Sequence, residues 1–133
     1  MKILFNTNFS QEINIVARIY EETLNYFKDL GEEIFFNDWA NYEKYDVILF
    51  YTGESEIAKV RNLNSNALIG IIDPSHKNKE EAKGADFLIV NSSEQKEFWL
   101  KYNINIFQNL HVPVIENNKI AKIENKKTIR LGY

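Results

Sequence analysis

Short apolar runs alternating with helical patterns predict a three-layer α/β domain built on an open parallel sheet. Runs such as "KILF", "YDVILFY", "ALIGIID" and "DFLIV" recur along the chain without helical period. Segments with apolar residues at three-or-four spacing lie between them. Strands that are apolar throughout are buried on both faces, which is the pattern of parallel sheets covered by crossover helices.

Each element follows from local chemistry. "KILF" reads as a buried strand that runs into the polar stretch Asn6 to Ser10. From Ser10, a candidate N-cap, the residues Ile13, Val16, Ala17, Tyr20, Leu24, Phe27 and Leu30 keep to one helical face. Gly31 stands where a left-handed residue ends a helix. "EEIFFND" and "YDVILFY" are the next strands, followed by a loop over Thr52-Gly53-Glu54-Ser55. Ile57, Val60 and Leu63 mark a short helix, and "ALIGIID" a fourth strand. Asp73-Pro74-Ser75 is a turn in which Pro fixes φ and Asp can bond forward to the backbone. A short helix over Lys77 to Lys83, closed by Gly84, leads to "DFLIV". Ser92-Ser93-Glu94-Gln95 has the form of a capping box and opens a helix carrying Phe98, Trp99 and Leu100. "INIF" is a sixth strand. Right-handed crossovers favour a Rossmann-like order of 3-2-1-4-5(-6), with a flavodoxin-like order as the alternative.

Composition narrows the function classes. The 133 residues are enough for one core, placed at 1–115 and followed by a polar linker over 116–127. A formal charge of −3, evenly scattered, predicts neither a nucleic-acid groove nor a membrane-binding face. No apolar run reaches the roughly 18 to 20 residues of a membrane span, and the expectation is a cytoplasmic protein. The absence of cysteine excludes disulfides, thiolate nucleophiles and thiolate metal sites. No metal site is predicted.

Ligands of such sheets bind at the carboxyl ends of the strands, where the winding direction reverses. The residues there are Asn6, Thr7 and Asn8, then Thr52, Gly53 and Glu54, then Asp73, Ser75 and His76, then Asn91 and Ser92. "NTNFSQE" lacks the glycines of a dinucleotide fingerprint, and the chain has no GxxxxGK[ST] run. A phosphoacceptor site needs an acidic pair after the first strand, an Asp ending the third and a Lys ending the fifth, where Asn6, Tyr51 and Asn91 stand. In "IIDPSHK", the Asp73 carboxylate can accept hydrogen bonds from sugar hydroxyls, and the His76 imidazole can donate one or shuttle a proton. Asp before Pro also opens turns, Ser92 also caps a helix, and Trp39 and Trp99 read as packing residues.

"YDVILFY", "ALIGIIDPSHK", "GADFLIVNSSEQKEFWLKY" and "VPVIEN", then the linker and "KKTIRLGY", resemble in order the amino-terminal half of a GT-B glycosyltransferase of the retaining family 4 type. The resemblance implies a domain that binds a sugar or glycan acceptor. A carboxyl-terminal partner domain would hold the nucleotide-sugar donor, and no cofactor would reside in the first domain. It implies that His76, with Asp73 beside it, lies near the donor sugar; the glycine-rich loop that many relatives have after the first strand is missing, and Asn6, Thr7 and Asn8 are expected in the cleft by position. "TIRLGY", at 128–133, would then open the second domain, and the chain by itself would be inactive. If the strand is instead part of the first sheet, the domain is complete, and a non-catalytic small-ligand or regulatory module is the alternative. An unpaired strand would invite self-association.

Overall fold

The computed structural model describes residues 1–8, 15–51 and 55–108, with the side chains of residues 15–19, 21 and 22 outside that description. The strands are β1 (Lys2–Asn6), β2 (Glu33–Phe36), β3 (Val47–Tyr51), β4 (Leu68–Ile72), β5 (Phe87–Val90) and β6 (Ile106–Gln108). The helices are α1 (Ile15–Asp29), α2 (Ile57–Leu63), α3 (Lys79–Gly84) and α4 (Ser93–Trp99), and a 3-10 turn spans Tyr42–Lys44. All strands are parallel in one sheet of order β2-β1-β3-β4-β5-β6.

The α/β class and the open parallel sheet are as the sequence predicts, and the architecture is consistent with a Rossmann-like fold. The strand order differs from 3-2-1-4-5. It is the flavodoxin-like order with β6 added, which equals a Rossmann order lacking the outermost strand beyond β2. The cause is the link between β2 and β3. It recrosses β1 through residues 37–46 with only the 3-10 turn, shorter than the usual crossover of about a dozen residues. Buried Tyr42 and Tyr45 take the place of a helix over β1.

Strand side chains alternate between two cores. Leu4, Ile48, Phe50, Ile69, Ile71, Leu88 and Val90 face Tyr42, Ile57, Val60, Ala82 and Trp99 from the 3-10 turn, α2, α3 and α4. Ile3, Phe5, Leu49, Tyr51 and Ile72 face Tyr20 and Leu24 of α1. Each fully buried aliphatic residue stabilises the fold by about 1.5–3 kcal/mol relative to exposure. Gly70 lets the Phe87 ring lie against β4. A Cβ there would strike that ring and come within 2.9 Å of Leu49 Cδ2.

The end of α1 follows from the residue at it. Gly31, at φ +94°, ends α1 in a Schellman motif: its N–H donates to Lys28 O at 3.0 Å and the Glu32 N–H to Phe27 O at 3.2 Å. Phe27 and Leu30 are exposed although they continue the apolar face. A helix of 15 residues, about 22 Å, outruns strands of about 17 Å. The α3 helix starts two residues later than Lys77, because Ser75 to Asn78 form a turn in which the Ser75 hydroxyl and N–H donate to Asn78 Oδ1. Among the described residues no helix is long and apolar enough to cross a membrane. The candidate N-cap Ser10, the expected linker at 116–127 and the expected strand at 128–133 lie outside the described residues.

Candidate functional site

In this order the winding direction reverses between β1 and β3, so the crevice expected for a ligand lies beyond Asn6 and Tyr51. Asn6 pairs with Phe50 of β3 and is fully buried. Its Nδ2 donates to Asp38 O at 3.2 Å and to Tyr42 Oη at 3.4 Å. The Tyr42 hydroxyl donates onward to Glu56 Oε2 at 2.7 Å, which also accepts from Lys59 Nζ at 2.9 Å. The backbone carbonyl and the committed hydroxyl can only accept from Asn6, so they fix which end of the carboxamide faces them. Asn6 Oδ1 therefore turns the other way, where it is buried without a partner.

Electrostatics follow from these contacts. Burial, and then the bond to Glu56, push the Tyr42 hydroxyl well above its ordinary pKa. Lys59 and Tyr42, both donating, hold the Glu56 carboxyl below its ordinary value. Asp38 accepts from the Tyr45 hydroxyl at 2.7 Å and from Asn41 Nδ2, which hold its carboxyl far below the usual range. Burial, with the bond to Asp38, pushes Tyr45 up to about 12.

Thr7 is buried and its N–H donates to Asn37 Oδ1 at 2.9 Å, while Asn8 is exposed. Thr52, Gly53 and Glu54 lie outside the described residues. Ser55, next in sequence, carries a buried hydroxyl without a partner.

A second polar group joins the ends of β4 and β5. Asp73, at φ +50°, accepts from Gln95 Nε2 at 2.9 Å, rather than bonding forward within its own turn. Gln95 Oε1 accepts from the Asn91 N–H at 2.8 Å, and Asn91 Oδ1 accepts from the Tyr20 hydroxyl at 2.8 Å. Ser92 caps α4 by accepting from the Gln95 N–H at 3.2 Å. The expected capping box thus forms with its return bond displaced by one residue, to Asn91.

His76 is exposed and meets the Phe98 ring edge-on, with centroids 4.5 Å apart, and stacks near Trp99 at 6.3 Å. Asp73 and His76 therefore serve different partners, one bonded to the start of α4 and the other packed on its aromatic side. Ser75 is taken up by its bond to Asn78.

Sequence reasoning missed Ser55, Tyr42, Glu56 and Lys59. Only the spacing of Glu56 and Lys59, neighbours on a helix, was available as a signal. It also missed an apolar trough of about 480 Å³ on the α1 face, lined by Leu24, Phe27, Leu49, Phe87 and Phe107 among others. Among the described residues no group of three or more His, Cys, Asp or Glu side chains is placed to hold a metal ion. Comparison with known families, curated proteins and solved structures finds no match to this chain.

Proposed function

We propose that this chain is the amino-terminal, acceptor-side domain of a nucleotide-sugar-dependent retaining glycosyltransferase, with the carboxyl edge of its sheet as one wall of the cleft. The observation that carries this reading is the position of buried Asn6 at the switch point between β1 and β3. The order of strand ends and the Ser92-capped helix add the sequence resemblance to it. In this reading Asn6, Thr7 and the loop beyond β3 orient an acceptor hydroxyl. Asp73, steadied by Gln95, accepts a hydrogen bond from a sugar hydroxyl, and His76 approaches the donor sugar. A carboxyl-terminal domain binds the nucleotide-sugar donor, and rate gain comes from positioning and from stabilising the leaving diphosphate.

The test is glycosyl transfer assayed with a panel of nucleotide sugars, for residues 1–133 alone and for the protein that carries them with a donor-binding domain. Transfer is expected only from the latter. Turnover by residues 1–133 overturns the half-enzyme reading.

A non-catalytic small-ligand module of flavodoxin-like order is the second reading. It is favoured by the packing of His76 against Phe98, away from the Asp73 bond. In the two-domain protein, normal turnover by His76→Ala would remove His76 from the reaction. Absence of any transfer there would favour the binding module.

A further inference from the structure

We infer that the β1/β3 switch point recognises a neutral, hydroxyl-bearing ligand, such as a sugar ring, through Asn6 Oδ1 and the Ser55 hydroxyl, and not a phosphate. This rests on the proposed cleft and names the chemistry that would occupy it.

Three buried side-chain oxygens among the described residues form no hydrogen bond: Asn6 Oδ1, Ser55 Oγ and Glu32 Oε2. Glu32 lies at the opposite edge of the sheet and has an ionic partner in the amino terminus at 2.9 Å. Of the other two, Asn6 ends β1 and Ser55 comes four residues after the end of the adjacent β3, at the edge where the winding reverses. Native folds leave few such groups, because burial without a partner forfeits hydration and returns nothing. A ligand that supplies the missing partners recovers that loss on binding.

The character of the groups selects the ligand. Asn6 Oδ1 can only accept, so it calls for an O–H or N–H, and the Ser55 hydroxyl can donate or accept. A carboxamide oxygen and the nearby Glu56 carboxylate disfavour a phosphate, which brings more acceptors and negative charge. Lys59, the cation of this cluster, is already bonded to Glu56 and to Trp39 O at 2.8 Å. A sugar hydroxyl can donate to Asn6 Oδ1, and the Ser55 hydroxyl can donate to or accept from a hydroxyl of the ligand. Because Oδ1 is covered in the free chain, binding must displace what covers it, and the Asn6 side-chain amide reports that displacement.

The experiment is a nuclear magnetic resonance titration of the ¹⁵N-labelled chain. The probes are glucose, galactose, N-acetylglucosamine and mannose, with inorganic pyrophosphate and inorganic phosphate as anionic probes. The expected result is a saturable shift of the Asn6 carboxamide resonances with at least one sugar and none with either anion. Ser55→Ala should weaken that sugar about tenfold while leaving the melting temperature unchanged, since the hydroxyl has no internal bond to lose. Shifts with the anions alone, or with no probe, overturn the inference, as does a melting temperature several degrees lower in Ser55→Ala.

Failure here is separable from failure of the transferase reading. Sugar binding without transfer in the two-domain protein removes that reading and leaves the site. Transfer by a protein in which only the anions shift Asn6 removes the site and leaves the reading.

Discussion

The two edges of the sheet treat their polar groups in opposite ways. At the amino edge, side chains close the backbone. Asn64, just after α2, donates to Tyr42 O and Tyr45 O at 3.1 and 2.8 Å, and Asn103, beyond α4, donates to Ala82 O and Ala85 O, both at 2.9 Å. Asp86, before β5, accepts from the Ile69 N–H and from Arg61, both at 2.7 Å. At the carboxyl edge, Asn37 and Asp73 hold positive φ, and Asn6 and Ser55 keep buried oxygens without partners. Strain and unmet bonding are tolerated where a ligand can repay them, and the saturated edge supplies the stability that permits it.

The comparison breaks most readily at Asn64. Asn64→Ala removes the donor to two carbonyls and the acceptor of the Ala67 N–H. A loss of about 2–3 kcal/mol in urea unfolding is expected, and a loss under half of that would mean the amino edge is not the stabilising one.

The crossover over residues 37–46 joins the two edges and makes the fold sensitive to pH at both extremes. The Asp38 carboxyl is depressed in the fold by Tyr45 and Asn41, so its contribution is present above the unfolded value of about 4 and is lost as pH falls through the lowered one. Glu56 acts in the same direction. Acid unfolding followed by circular dichroism should become shallower in Asp38→Asn, and an unaltered profile would discount this bond. Tyr45 is raised, so its contribution is full below the unfolded value of about 10 and is lost as pH climbs through about 12. Thermal melts should hold steady from neutral pH to about 10 and then fall, with the fall reduced in Tyr45→Phe.

The smallest effect is expected at the strained edge. Asp73→Gly relieves the left-handed conformation and loses the bond to Gln95. The two nearly cancel, to within about 0.5 kcal/mol. A loss as large as that of Asn64→Ala would erase the contrast between the edges.

The apolar strands were legible because each carries its own burial pattern: "VILFY" announces β3 wherever it sits in the sheet. Strand order was not, since "NDWANYEKYD" contains neither a helical stripe nor a sign that two tyrosines would cover β1. Ser92 and Gly31 could be read because capping is local chemistry. The pairing of Asp73 with Gln95, and the packing of His76 on Phe98, depend on where α4 lands against the end of β4. The missing partner of Asn6 Oδ1 was invisible for the same reason. Sequence showed a polar strand end, and only the positions of Asp38 and Tyr42 decide which way the amide turns.

β4, β5 and β6 each lie beside their predecessor in the chain, and β2 lies beside β1. The pairing of β1 with β3 is the one neighbour relation in this sheet that skips a strand, and it closes the longest loop of chain. Long-range closure is slow relative to local pairing. The β3–β6 unit can therefore assemble by successive local steps, while the crevice that holds Asn6 comes into being only when the two sub-assemblies meet. Late assembly makes the same residues the natural place to look for the folding bottleneck, through the refolding rates of variants at the β1–β3 seam.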